Sequence, residues 1–222
     1  STSKSTMKFA KFAGTKTEDV YFPVSKDIKI IDQNNETVAV TKSLGGGLYR
    51  EDFPWSLMYA LDGTTVSGDW SWLKEYPTVI TESGGEILAL LAPGNDSIAG
   101  VQWPITEYNI KNTDALDKWS NYCTRLATLL NDKCNNYEVY NEWAGQAQNK
   151  TKATPKAYAE LLKCSAEAIR KGNEDAKITA FCCFYTDAEW LDKAISALGD
   201  NPGQYFDAIS IHPYMTYWSN LE

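Results

Sequence analysis

At 222 residues, 43% hydrophobic and 23% charged, the chain is long enough to bury one substantial core and has the composition of an ordered globular protein. Its formal charge of -8, with no Lys/Arg cluster, argues against nucleic acid as a partner. No apolar run approaches the ~18 residues that a membrane-spanning helix needs, so no membrane partner is expected either. Five cysteines without C-x-x-C spacing argue against a disulfide framework, and the single histidine excludes a His-rich zinc or iron centre.

Residues 1–42 read as a β-rich preface, in which Ile28–Ile31 and Thr37–Val40 flank the turn-forming stretch Asp32–Glu36 as a hairpin. From Ser43 the pattern changes to short apolar runs alternating with helix-period segments, which predicts βα units on a parallel sheet over 43–222. The first strand runs through Gly45, Gly46 and Gly47 to Arg50, with a helix following around Pro54–Leu61. That glycine run lacks both the Lys-Ser/Thr of a P-loop and the G-x-G-x-x-G spacing, so it reads as close backbone packing. A second, weaker strand at Thr64–Ser67 precedes a helix over about Asp69–Glu82, which Pro77 is expected to kink. Glu86–Leu91 is a buried third strand.

A long loop, Pro93–Asn112, carries Trp103. The helix over Thr113–Leu130 places Leu116, Trp119, Cys123, Leu126 and Leu130 at spacings of three and four, and leads into the strand Tyr137-Glu138-Val139-Tyr140, which ends in Asn141-Glu142. Thr154-Pro155 is an N-cap with proline at the first helical position. It opens a stripe of Tyr158, Leu161, Leu162, Ala168 and Ile169, interrupted by Ser165 and ending near Gly172. Strand Lys177–Cys183 follows, then a capping box at Thr186 and Glu189, and finally strand Phe206–Ile211, which delivers His212-Pro213-Tyr214.

This grammar gives about six βα units of roughly 30 residues each, where a complete (β/α)8 TIM barrel takes about 250 residues. The expected fold class is therefore α/β, an incomplete (β/α)8 barrel behind an N-terminal β-rich preface. In such a barrel Arg50, Asn141, Glu142, His212 and Tyr214 converge on the mouth at the strand C-terminal ends, where a barrel enzyme places its chemistry. Glu142 is the candidate proton donor. Aromatic residues make up 13% of the chain, and flat rings with polar handles suit the apolar faces of sugars. Trp103, Trp143 and Trp218 are the candidate platforms.

Four segments in this order resemble the retaining glycosidases of clan A, the 4/7 superfamily, most nearly the family 39 β-xylosidases and α-iduronidases. They are Leu48-Tyr49-Arg50-Glu51-Asp52-Phe53-Pro54-Trp55, the Tyr-Glu-Val-Tyr-Asn-Glu strand at 137–142, Thr186–Leu191, and Asp207-Ala208-Ile209-Ser210-Ile211-His212-Pro213-Tyr214. The resemblance implies hydrolysis of O-glycosidic bonds in a polysaccharide or oligosaccharide by double displacement. Glu142 would be the general acid/base and Asn141 would bind the sugar 2-hydroxyl. Arg50, His212 and Tyr214 would position substrate or orient the nucleophile. It implies no cofactor, and no metal ligands are assigned. In that clan the nucleophile ends strand seven, which is not identifiable here. A C-terminal segment or second polypeptide is therefore expected to complete the barrel and cover its open edges. A polysaccharide substrate points to an extracellular location, while five unpaired cysteines favour the cytoplasm. The competing readings are a carbohydrate-binding barrel without catalysis and a βα barrel of unrelated chemistry.

Overall fold

The structure, a computed structural model, describes residues 6–7, 20–21, 47–55, 70–92, 113–143, 154–184 and 188–212. The chain divides into two compact units, 1–47 and 48–222. In the first, β1 (Thr6–Met7) pairs antiparallel with β2 (Val20–Tyr21). The hairpin expected over Ile28–Val40 lies outside the described residues.

The second unit is built on a parallel five-stranded sheet of β3 (Leu48–Pro54), β4 (Glu86–Ala92), β5 (Asn136–Val139), β6 (Lys177–Phe184) and β7 (Ala208–His212). The strands lie side by side in chain order. Between them run α1 (Glu75–Glu82), α2 (Thr113–Leu130), α3 (Pro155–Gly172) and α4 (Ala188–Ala197). Parallel strands joined by crossovers of one hand carry their helices on one face, and a sheet wound in a single direction curls toward a barrel. The unit is a partial (β/α) barrel.

Register explains the core. Tyr49 pairs with Ile87, Ala89 with Tyr137, Leu91 with Val139 and Tyr137 with Ile178, so these side chains share the helix-covered face. All are buried. The alternate positions, including Arg50, Asp52, Leu90 and Glu138, face the inside of the curl. α3 packs between α2 and α4. Gly172, the last residue of α3, is required by this packing: a Cβ there would strike the Thr124 carbonyl and come within 2.9 Å of Ala127 Cβ. Ser165 is no interruption of the α3 stripe. It is buried, accepts from Trp119 Nε1 at 2.8 Å and donates to the Leu161 carbonyl at 2.7 Å, pinning α3 to α2.

Three expectations change. β3 extends to Pro54, so Arg50 is its third residue and not its exit. β3 also pairs directly with β4 along its whole length, so the two are neighbours in the described sheet, and the strand expected at Thr64–Ser67 lies outside the described residues. The Asn-Glu strand is therefore third in the described sheet, not fourth. Finally, Pro77 does not kink a long helix. The segment opens as a 3-10 turn, Ser71–Lys74, and α1 starts at Glu75, so Pro77 falls in the first helical turn, where its missing N–H has no partner to lose.

Candidate active site

The C-terminal ends of β5, β6 and β7 meet at one cluster. β5 stops at Val139, and the chain turns through left-handed backbone at Tyr140 (φ 69°) and Glu142 (φ 52°). β6 carries a bulge between Ala180 and Cys183, with Phe181 at φ 75° and Cys182 at φ 36°. A bulge re-aims side chains, and this one brings the Cys182 thiol onto the Arg50, Asn141 and His212 side chains.

Glu142 is mostly enclosed, its side chain 12% exposed, and its Oε1 lies 2.7 Å from His212 Nδ1. With the carboxylate ionised, Nδ1–H donates and Nε2 is left as the lone-pair nitrogen. Nε2 is 3.3 Å from Cys182 Sγ. Arg50, although rooted low on β3, reaches the mouth through its long side chain. Its Nε donates to Glu138 Oε2, its Nη2 donates to Asn141 Oδ1 at 2.8 Å, and Nη2 also approaches Cys182 Sγ at 3.4 Å. Because the guanidinium takes Oδ1, the Asn141 amide is fixed with its NH2 directed elsewhere as a donor.

Glu138 is fully buried, and its Oε1 has no hydrogen-bond partner among the described residues. Burial alone would lower the Arg50 value, but the Glu138 hydrogen bond and charge reverse this and leave it raised. The Cys182 thiol is pushed up to about 12, first by burial and then by the Glu138 charge. It is protonated at neutral pH.

Arg50, Asn141, Glu142 and His212 are thus brought together. Trp143 is not an open platform, because its side chain is wholly buried, with its ring 4.7 Å from that of Tyr140 and 5.8 Å from that of Tyr158. Trp103, Tyr214 and Trp218 lie outside the described residues. Sequence reasoning assigned nothing to Glu138 or Cys182. Glu138 carried a signal, since a lone carboxylate within a buried strand requires a partner. Cys182 carried none, because spacing does not reveal a bulge.

In fold the chain is similar to a family 39 glycoside hydrolase from the gut symbiont Bacteroides cellulosilyticus WH2, with TM-score 0.59 and 18% identity over 82% of this chain and 36% of that one. An exo-β-1,4-mannosidase from Opitutaceae bacterium strain TAV5 gives TM-score 0.60 and 19% identity over 86% and 37%. The endoglucanase Cel5A of Thermotoga maritima gives 0.56 and 16% over 80% and 52%. These neighbours are glycoside hydrolases of clan A, and the chain spans between about a third and a half of their length. No protein-family model matches the sequence. No curated protein matches it either. Among the described residues no helix is long and apolar enough to cross a membrane.

Proposed function

We propose that this chain belongs to a retaining O-glycosidase, in which Glu142 is the general acid/base. The observation that carries the reading is the Glu142–His212 contact at 2.7 Å, set beside an Asn141 amide held by Arg50 at the end of a parallel strand. In the first step the Glu142 carboxylic acid protonates the leaving glycosidic oxygen. In the second the carboxylate deprotonates the attacking water. His212 holds the carboxyl in place. The Asn141 NH2, directed away from Arg50, donates to a sugar hydroxyl, the 2-hydroxyl in the clan A arrangement.

Double displacement needs a second carboxyl roughly 5–5.5 Å from the first. Glu138 does not serve, since it is enclosed and held by Arg50. The nucleophile belongs to residues outside the described set, or to a further segment or polypeptide that completes the barrel. Edge strand β7 supports completion: Ile209 and Ile211 pair with Ala180 and Cys183, which share the helix-covered face, yet they are 44% and 47% exposed. The substrate is a polysaccharide or oligosaccharide, which favours an extracellular location.

The test is hydrolysis of aryl glycosides by the chain and by Glu142→Gln, with the completing segment supplied where it is required. Loss of general acid/base catalysis lowers the rate by about 10²–10⁴. Equal hydrolysis by the two proteins removes the assignment. Sugar binding without turnover by either protein favours the carbohydrate-binding alternative.

A further inference from the structure

We propose that Glu138, Cys182 and His212 form a site for a borderline-soft divalent cation of the Zn2+ class, at the floor of the mouth. One ligand atom from each lies within 4.8 Å of the others, and the set of carboxylate oxygen, thiolate sulfur and imidazole nitrogen is the one Zn2+ prefers. Bonds of about 2.3 Å to sulfur and about 2.05 Å to nitrogen at a tetrahedral angle put those two atoms about 3.5 Å apart. Sγ and Nε2 already stand at 3.3 Å.

Two independent observations point to a cation here. The first is the Glu138 carboxylate, wholly enclosed: Arg50 takes Oε2, while Oε1 makes no regular hydrogen bond and the carboxylate faces the Cys182 thiol, whose proton a cation would displace. A buried carboxylate oxygen without a regular hydrogen bond is the kind of group a cation completes. The second is the orientation of His212. With the Glu142 carboxylate ionised, Nδ1–H donates to it, and this is the tautomer that offers the Nε2 lone pair to a metal. This carboxylate–histidine relay is how metal-bound imidazoles are commonly held.

The charges also balance. With Glu142 ionised, thiolate Cys182, Glu138 and Glu142 oppose Arg50 and a dication, so the formal sum is zero. Binding replaces the Cys182 S–H by an S–metal bond, and the proton goes to solvent. Arg50 keeps Oε2 while the metal takes Oε1, with a water as fourth ligand. The inference stands on the cluster's geometry and does not depend on the glycosidase reading.

The experiment is titration of the reduced, metal-free 222-residue chain with Co2+ alone, read by absorption. We expect one equivalent of Co2+ to produce a thiolate-to-cobalt charge-transfer band that Zn2+ then abolishes. The band is lost in Cys182→Ala and retained in Cys183→Ala, whose neighbouring thiol is also buried. His212→Gln weakens Co2+ binding at least roughly tenfold. That second variant lies on an edge strand with its side chain 19% exposed, and it decides the matter if Cys182→Ala does not fold. No charge-transfer band in the parent chain, an unchanged band in Cys182→Ala, or unchanged affinity in His212→Gln overturns the proposal.

Discussion

The Arg50–Glu138 pair predicts an asymmetry that ordinary ion-pair reasoning does not. Its two partners sit in different surroundings, with the Glu138 side chain 0% exposed and that of Arg50 33% exposed. Arg50→Met removes the cation and strands a carboxylate that already has one oxygen without a donor. Breaking a buried pair from the side that leaves the enclosed charge costs about 3–5 kcal/mol. Glu138→Gln leaves a guanidinium that still reaches solvent, still donates to Asn141 Oδ1 at 2.8 Å, and still finds an amide oxygen where the carboxylate was. What is lost is the charge assistance of one hydrogen bond, about 1.5 kcal/mol. The difference, about 2 kcal/mol, is roughly a 30-fold change in the folding equilibrium. With a urea dependence of about 2 kcal/mol per molar, the midpoint of Arg50→Met should lie about 1 M below that of Glu138→Gln. The assay is equilibrium urea unfolding at pH 7, followed by tryptophan fluorescence. If Glu138→Gln is as destabilising as Arg50→Met, the buried-carboxylate argument is wrong.

Two further outcomes follow from buried hydroxyls. The Tyr158 hydroxyl donates to the Val139 carbonyl at 3.0 Å and accepts from Phe181 N–H at 2.6 Å, tying β5 to β6 where both leave regular geometry. Tyr158→Phe leaves two buried backbone groups unpaired and should cost about 2–4 kcal/mol in urea unfolding, against less than about 0.5 kcal/mol for an exposed tyrosine. A loss of that smaller size would show that the bridge does not hold the strands. Alkaline pH should also unfold the protein steeply. Burial pushes Tyr122, Tyr137, Tyr140 and Tyr158 above the ordinary phenol value of 10.0 and Cys134 up to about 11, from 9.0. The native state therefore holds protons that the unfolded chain releases, and stability is complete below pH 9 and lost above it. Each resisting group removes about 1.4 kcal/mol per pH unit beyond its unfolded value. Urea midpoints that stay level from pH 8 to pH 10.5 would contradict the burial of these groups.

The parts of the fold that were legible in the sequence are those set by local periodicity. The helix over Thr113–Leu130 has the bounds its apolar spacing indicated, and Thr154 caps α3 through its hydroxyl, which accepts from Ala157 N–H at 3.1 Å. The Asn-Glu strand end and His212 were visible because a polar residue at the exit of an apolar run breaks a pattern. What was not legible depends on contacts between distant segments. Arg50 was placed at a strand exit because the run of apolar residues ends there, yet pairing with β4 carries β3 through Arg50, Glu51 and Asp52 to Pro54. Ser165 interrupts an amphipathic stripe in the sequence and Gly172 marks its end, yet both are the residues that let α3 approach α2. Trp143 is a candidate platform in the sequence because a flat ring suits a sugar face, but the turn at Tyr140 sends its ring into the core.

That turn connects stability to the site. Among the described residues, four that are not glycine have positive φ: Tyr140 and Glu142 just past the end of β5, and Phe181 and Cys182 in the bulge of the adjacent strand β6. Each such residue costs of order 1–3 kcal/mol and persists only where its surroundings over-determine it. Here the surroundings are a chain of rings, Tyr140 to Trp143 to Tyr158 to Phe181, with successive centroids 4.7, 5.8 and 5.5 Å apart, and the Tyr158 hydroxyl at its centre. If Tyr140 and Glu142 relaxed to extended backbone, β5 would continue as a regular strand. The Glu142 side chain would then leave His212, and relaxation at Cys182 would withdraw the thiol from Arg50 and His212. The aromatic core therefore does more than stabilise the sheet: it holds the backbone in the strained form that aims Glu142 and Cys182 at one histidine.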